Sequence, residues 1–275
     1  MPYRDSIEAG YASMASFVAA HPNPWGWNPT QYCGLPVQFL YVPLLPYATA
    51  LAAHMIPAEP EYLYRLITAT MVCLGPATLF LFALYFTRSR KWALAAALAY
   101  TFFSPLYGMA SQIDQDRGLA QVPWRVQVFA KYGEGPHNTG LTLMPLALIA
   151  VWGAGTRGRY WRIFLAAVLL ASIALTNWVA ALATGACCLL IVACGVATER
   201  ALDFRAWRIF AAAALAWLLA CFWLTPGFIR TVFFNWPKDA FGYVAGSRQA
   251  LSAVGLALAL VAVRYLLLRA RCVFY

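Results

Sequence analysis

The sequence predicts an all-α fold, a polytopic transmembrane helical bundle of about seven spans with external loops that carry interfacial helices. Of the 275 residues, 63% are hydrophobic and only 11% are charged, whereas about a quarter of an ordinary soluble domain is charged. The mean hydropathy of +0.64 is too high for one globular core to hide the apolar surface, so lipid is the expected solvent. Long apolar runs alternate with short basic loops.

We treat residues 1–275 as a single domain. It is predicted to contain an external loop with an interfacial segment (1–65), a helix pair (66–110), a second external loop (111–138) and a helical bundle (139–275).

The first 65 residues are predicted to remain on the external surface. Residues 1–33 contain no hydrophobic run and no signal-peptide core, and they are expected to form a polar, aromatic loop. Residues 34–56 are apolar but contain Pro36, Pro43 and Pro46, and proline removes backbone donors that a spanning helix needs. We expect this segment to lie along the membrane surface or to be bent. We also expect the chain to be a fragment, incomplete at both ends.

Seven segments are predicted to span the membrane: 66–87, 92–110, 139–154, 163–176, 178–197, 209–224 and about 249–268. Asn177 separates two of them, because residues 163–197 as one helix would be about 52 Å long, far more than the ~30 Å hydrocarbon core. The chain is therefore expected to reverse at Asn177.

Charge predicts the orientation of the bundle. Twelve of the 20 Lys and Arg residues lie in four basic clusters, at 88–91, 157–162, 200–208 and 264–271. Only two of the ten acids, Glu199 and Asp203, lie in or directly beside these clusters. Basic loops face the cytoplasm in membrane proteins. We therefore predict an external N-terminal loop and a cytoplasmic C-terminus.

Several function classes are disfavoured. The basic residues do not form an aromatic-interleaved stripe, so no nucleic-acid partner is predicted. The seven cysteines and three histidines show no metal-binding spacing, and neither a phosphate-binding glycine loop nor a GxSxG motif is present. Ionisable residues are nearly absent within the predicted spans, whereas ion-coupled transporters usually need some at mid-depth.

The second external loop has the composition of a candidate site. It contains the acids Asp114, Asp116 and Glu134, the cations Arg117, Arg125 and Lys131, and His137. A carboxylate can accept a proton or hold a metal, and a guanidinium can bind phosphate. Together they suit an anionic substrate carried by a lipid. The alternative is a solvated loop whose charges pair with one another.

Residues 1–138 contain a series of motifs in a fixed order: an early acid at Asp5, the run WGWNPTQYCGLPVQFLYVPLLPY from Trp25, the Arg65-Leu66 pair, the basic turn at 88–91 and the SPLYG segment at 104–108. This order resembles that of the C-type (GT-C) glycosyltransferases, a superfamily of polytopic membrane enzymes. The run at 27–44 is similar to the WNPxxYxGxPxxxxYxPL signature of bacterial membrane proteins called 6-pyruvoyl-tetrahydropterin synthase-related. After Asn138 only the helical character matches.

The resemblance implies a membrane enzyme of a bacterial inner membrane that transfers a sugar from a polyprenyl-phosphate-linked donor on the external side. Asp5 would be the catalytic base or a metal ligand, with Asp114 and Asp116 as further catalytic acids. A divalent cation, Mg²⁺ or Mn²⁺, would be held by Asp5 and Asp116 if one is needed. The substrate contacts would be Trp27, Gln31, Arg117, Arg125, Lys131, Glu134 and His137. The bilayer is the expected partner, and no protein partner is indicated. The alternative function is that of a non-catalytic membrane protein in polysaccharide or envelope assembly or transport.

Overall fold

The computed structural model describes residues 7–29, 33–37, 42–103, 122–156, 159–197, 204–234 and 255. The chain divides into two units: Met1–Ser104 with Leu119–Thr225, and Pro105–Gly118 with Pro226–Tyr275. In the second unit the described residues are Gly255 and the helix Pro226–Phe234.

The described chain is almost entirely helical. In chain order its elements are α1 (Glu8–Ala20), β1 (Trp27–Asn28), β2 (Leu35–Pro36), α2 (Leu44–Met55), α3 (Pro60–Thr87), α4 (Arg90–Phe102), α5 (Trp124–Ala130), α6 (Gly135–Thr156), α7 (Tyr160–Ala174), α8 (Trp178–Ala197), α9 (Ala206–Ala220) and α10 (Pro226–Phe234). This confirms the all-α membrane fold that composition predicts.

Three of these helices are long and apolar enough to cross a membrane. They are Pro60–Thr87, Gly135–Thr156 and, within α8, Trp178–Gly195. Helices α7 and α9 are apolar but have only 15 residues each, or about 22 Å. The predicted span at 249–268 lies outside the described residues apart from Gly255, and so do the last seven residues of the span at 92–110.

Helix α6 forms the centre of the first unit, because 61% of its most apolar window is buried, against 17% for the windows in α3 and α8. Helices α3 and α6 run parallel. The α6 residue Thr142 donates a 2.8 Å hydrogen bond to the Met71 carbonyl of α3, and further along the two helices the rings of Phe86 and Trp152 lie 5.8 Å apart. Helix α7 returns antiparallel to α6, and α8 then runs parallel to it.

Two sequence-based boundaries need correction in the N-terminal part. Residues 8–20 were expected to be loop but form α1, whose buried Tyr11, Ala12, Ala15 and Val18 follow helical spacing. Span 66–87 begins six residues earlier, at Pro60, because proline is accommodated at the first helical position, where its missing N–H is not needed.

The proline-rich segment 34–56 is not a single straight helix in its described residues. Leu35–Pro36 form a strand, Val42 has φ 56°, and the helix begins only at Leu44. Helix α2 is about 18 Å long, too short to cross the hydrocarbon core. Pro46 lies in the first turn of α2, where the missing N–H has no helical acceptor. The prediction that this segment is bent is thus confirmed for the described residues, and its place relative to the membrane stays a prediction.

The predicted reversal at Asn177 is confirmed. Helix α7 ends at Ala174, two residues before the predicted end, and α8 begins at Trp178, as predicted. The Asn177 side-chain Oδ1 accepts the backbone N–H of Ala180 at 2.9 Å, which satisfies one of the free donors at the start of a helix.

Candidate functional site

The first unit has two chemically different ends. At one end, which we call the acidic end, lie the starts of α3 and α6 and the α7–α8 turn. It holds Glu8, Glu59, Glu61 and Glu134, the four acids among the described residues. The other, which we call the basic end, holds Arg88, Arg90, Lys91, Arg159, Arg162, Arg205 and Arg208. The acidic and basic loops of the described chain therefore lie at opposite ends of the first unit. Which of the two ends faces the cytoplasm stays a prediction.

Half of the predicted site residues lie within the described part of the chain. These are Trp27, Arg125, Lys131, Glu134 and His137. Asp5, Gln31, Asp114, Asp116 and Arg117 lie outside it. The roles assigned to Asp5, Asp114 and Asp116 require the three carboxylates to lie close together, and this stays a prediction.

The N-terminal segment and the end of the second loop meet at the acidic end. The backbone N–H of Ile7 donates to the carbonyl of Tyr132 at 3.3 Å. The ring of Tyr11 stacks on that of Tyr64, with centroids 6.3 Å apart, and the Tyr64 hydroxyl lies 3.0 Å from where a Cβ on Gly135 would stand. Tyr64 thus contacts both segments from α3.

An ion pair fixes α1 against α3 beside Tyr64. The Arg65 guanidinium donates from Nε to Glu8 Oε1 at 3.1 Å and from Nη2 to Glu8 Oε2 at 3.4 Å. Both side chains are about a quarter exposed, so the two-pronged geometry serves to orient the helices more than to stabilise them. The resemblance singled out Arg65, whereas Glu8 was not assigned a role.

Tyr64 carries an unused hydroxyl at this junction. The residue is 1% exposed, and in the described part of the chain its Oη has no hydrogen-bond partner. A buried hydroxyl without a partner is unfavourable by about 1–3 kcal/mol, so it is suited to bind a ligand. Sequence reasoning missed Tyr64 because its spacing is that of an ordinary core residue.

Glu134 directly precedes α6. Burial raises the pKa of its carboxyl, because the charged form loses hydration. A carboxylate with a raised pKa holds a proton more readily near neutral pH and is therefore better suited to act as a general base.

His137 and Asn177 connect the start of α6 to the α7–α8 turn. Their side chains hydrogen-bond to each other, and Asn177 also caps α8 through Ala180. His137 is therefore held in place at the acidic end. Its predicted role in substrate binding stays a prediction.

Arg125 extends from α5 to the middle of α3. Pro76 has no N–H, so the carbonyl of Val72, four residues earlier, lacks its helical donor. The Arg125 Nη2 group donates to that carbonyl, and the guanidinium lies 4.8 Å from the centre of the Tyr100 ring. Ionisable groups were predicted to be scarce within the spans, and Arg125 is an exception, since it reaches α3 from α5 in the predicted second loop. The geometry gives Arg125 a structural role, and its phosphate-binding role stays a prediction.

The aromatic run contains a short hairpin. Trp27 pairs with Pro36 and Asn28 with Leu35 in antiparallel register. Gly34 has φ 104°, and a Cβ on it would lie 2.6 Å from the Trp27 ring. The tryptophan therefore packs on the glycine backbone, and no larger residue fits at position 34.

Lys131 lies at the end of α5, with Nζ 5.2 Å from the centre of the Tyr132 ring. Its position beside the Ile7–Tyr132 contact adds a cation to the acidic end. Within the described ranges, no group of three or more His, Cys, Asp or Glu side chains could hold a metal ion. The predicted metal ligands Asp5 and Asp116 are outside those ranges.

These observations define a helical membrane protein with a cluster of ionisable and aromatic side chains at one end of its bundle. A family model described as "6-pyruvoyl-tetrahydropterin synthase related domain; membrane protein" matches residues 118–263, more than half of the chain. The chain belongs to this family of membrane proteins. No curated protein and no solved structure matches the chain.

The family match confirms one part of the resemblance drawn from sequence. The membrane-protein family is correct, but the match covers 118–263, mainly downstream of the residues 1–138 that carried the resemblance. The expectation that only helical character would match after Asn138 was therefore wrong.

Proposed function

We propose that this protein is a membrane glycosyltransferase that transfers a sugar from a polyprenyl-phosphate-linked donor at its acidic end. The observation that carries the proposal is the meeting of the N-terminal segment and the second-loop end around Tyr64. Through it, two segments that carry ionisable residues and lie more than 100 residues apart in sequence come into contact at the end of apolar helices, which supports the proposal. The phosphate of a lipid-linked donor lies at the boundary between hydrocarbon and water, which is where we place this end of the helices.

In the proposed reaction, the acceptor hydroxyl attacks the anomeric carbon of the donor sugar. The new glycosidic C–O bond forms while the bond from that carbon to the phosphate oxygen breaks, and polyprenyl phosphate leaves. The acceptor proton passes to a carboxylate, which we assign to Asp5, with Glu134 as a second candidate acid. Negative charge on the leaving phosphate requires cations. Among the described residues of the acidic end Lys131 supplies one, whereas the Arg65 guanidinium is already paired with Glu8. If a divalent cation takes part, Asp5 and Asp116 are the proposed ligands.

The Tyr64 hydroxyl supports this proposal from the protein side. It is buried next to both segments and has no partner in the described structure. A sugar hydroxyl is a suitable partner, since it both donates and accepts hydrogen bonds. Tyr64→Phe is therefore expected to weaken substrate use while keeping the ring contact with Tyr11.

The test is transfer of a radiolabelled sugar from a polyprenyl-phosphate donor by membranes that contain the protein. Asp5→Asn is expected to abolish transfer, and Glu134→Gln to reduce it. The control is Glu59→Gln, at an exposed acid of the same end, which should keep full activity. Full activity of Asp5→Asn would remove its assigned role. Absence of transfer by the wild-type protein, with any of the common donor sugars, would favour the non-catalytic role in envelope assembly or transport.

A further inference from the structure

A cleft opens at the basic end between α3, α6 and α7. It has a volume of about 370 Å³. Its walls are apolar, formed by Tyr85 of α3, Leu146 and Ile149 of α6, and Leu165 and Leu169 of α7. Trp161 and Arg162, in the first turn of α7, complete the lining.

Arg162 is held at this cleft, and its guanidinium has a hydrogen-bond donor without a partner among the described residues. Its guanidinium lies 5.2 Å from the centre of the Trp161 ring, and it packs over Gly153, where a Cβ would lie 3.3 Å from Nη1. Its Nε is buried and has no hydrogen-bond partner among the described residues. A charged donor without an acceptor in apolar surroundings is unfavourable, so an anionic ligand would stabilise it.

The cleft is chemically complementary to a phospholipid, because a cation lies at one end and apolar side chains follow it. Arg162 lies in the first turn of α7, and Leu165 and Leu169 follow one and two turns further along the same face. The described residues of the basic end include no acid that could neutralise Arg162. The exposed ring of Trp161 is of the kind that occupies the headgroup level of a bilayer.

We propose that this cleft is a binding site for an anionic phospholipid, with the phosphate on Arg162 and one acyl chain between Leu165, Leu169 and α6. Basic sites between membrane helices bind such headgroups. The site is at the opposite end of the bundle from the proposed transferase centre, and it does not depend on that function.

Binding can be measured on the full chain in phosphatidylcholine nanodiscs to which phosphatidylglycerol is added stepwise. Native mass spectrometry counts the lipids retained, and thermal unfolding reports stabilisation. The wild-type protein is expected to retain phosphatidylglycerol in preference to phosphatidylcholine. Arg162→Ala should weaken this retention about tenfold or more, because a charge-assisted contact is lost.

The chain offers a matched control in a second R-x-W-R sequence. Arg208, at the start of α9, lies 5.5 Å from the centre of the Trp207 ring but does not line the cleft. Arg208→Ala should leave the retention unchanged. Leu165→Trp keeps the charge but fills the cleft, and it should weaken retention as Arg162→Ala does. It also serves as the test if Arg162→Ala does not fold.

Three results would overturn the proposal. The first is unchanged retention in either Arg162→Ala or Leu165→Trp. The second is an equal loss in Arg208→Ala, which would indicate attraction by surface charge in general. The third is displacement of phosphatidylglycerol by millimolar inorganic phosphate, which would assign the site to a free phosphate instead of a lipid.

Discussion

The contact between Arg125 and α3 leads to a quantitative prediction about stability. Pro76 leaves the Val72 carbonyl without a helical donor, and Arg125 supplies the donor from α5. Arg125→Ala removes it, and an unpaired buried carbonyl is unfavourable by about 1–3 kcal/mol. The contact with Tyr100 adds about 0.5–1 kcal/mol. We therefore expect Arg125→Ala to destabilise the protein by about 1.5–4 kcal/mol.

A double-mutant cycle separates the two contributions. Pro76→Ala gives position 76 an N–H that can donate to the Val72 carbonyl along the helix. In that background Arg125→Ala should cost only the ring contact, about 0.5–1 kcal/mol. The difference, a coupling of about 1–3 kcal/mol, falls within the range measured for directly interacting residues.

The assay is reversible unfolding in mixed detergent micelles, followed by circular dichroism for the four proteins of the cycle. Arg90→Ala removes an exposed cation at the basic end, and it should change the free energy of unfolding by less than about 0.5 kcal/mol. An equal cost of Arg125→Ala with and without Pro76 would refute the reasoning. In that case the guanidinium would not be satisfying the carbonyl that proline leaves free.

Two further predictions concern the acidic end and the orientation. Burial raises the pKa of Glu134 in the folded protein. Below the ordinary pKa of glutamate the side chain is protonated in both states and does not destabilise the fold. As the pH rises through the raised pKa, the buried carboxyl becomes charged and the free energy of unfolding falls. Glu134→Gln should therefore unfold at a higher temperature than wild type at pH 7 and at the same temperature near pH 4. The control Glu59→Gln changes an exposed acid and should show no such pH dependence. A difference in unfolding temperature between Glu134→Gln and wild type that does not change with pH would contradict the prediction. For the orientation, an impermeant thiol reagent should label Ser6→Cys but not Ser89→Cys in intact cells of a cysteine-free background, and the reverse pattern would invert the topology.

The helices of the bundle could be predicted largely from sequence because their signals are local. Helix α8 has the predicted bounds, since Asn177 supplies a cap and apolar residues continue from Trp178 to Ala197. Helix α1 was missed because its apolar residues are mostly alanines within a polar, aromatic stretch. The α1 pattern becomes recognisable only when Tyr11, Ala15 and Val18 are considered as one helical face.

The candidate site was less predictable because its contacts are long-range. Pro76 signals a free carbonyl at Val72, but no pattern indicates that the donor comes from Arg125, 53 residues later. Tyr64 has the spacing of a core residue, and only its position beside Gly135 and Tyr11 gives its hydroxyl significance. Charge counting, by contrast, needs only the order of the loops along the chain. It groups the described acids and basic clusters at opposite ends of the first unit, while the orientation in the membrane stays a prediction.

The geometry of α6 connects the two proposed sites to the membrane. Gly135 lies beside Tyr64 at the acidic end, and Gly153 lies beneath Arg162 at the basic end. The two positions are 18 residues apart, which corresponds to about 27 Å of helix, close to the ~30 Å thickness of the hydrocarbon core. The two proposed sites are therefore about as far apart as the two interfaces of a bilayer. Among the described residues, Arg125 is the charged side chain that lies between them, and its partner is the carbonyl that Pro76 leaves free.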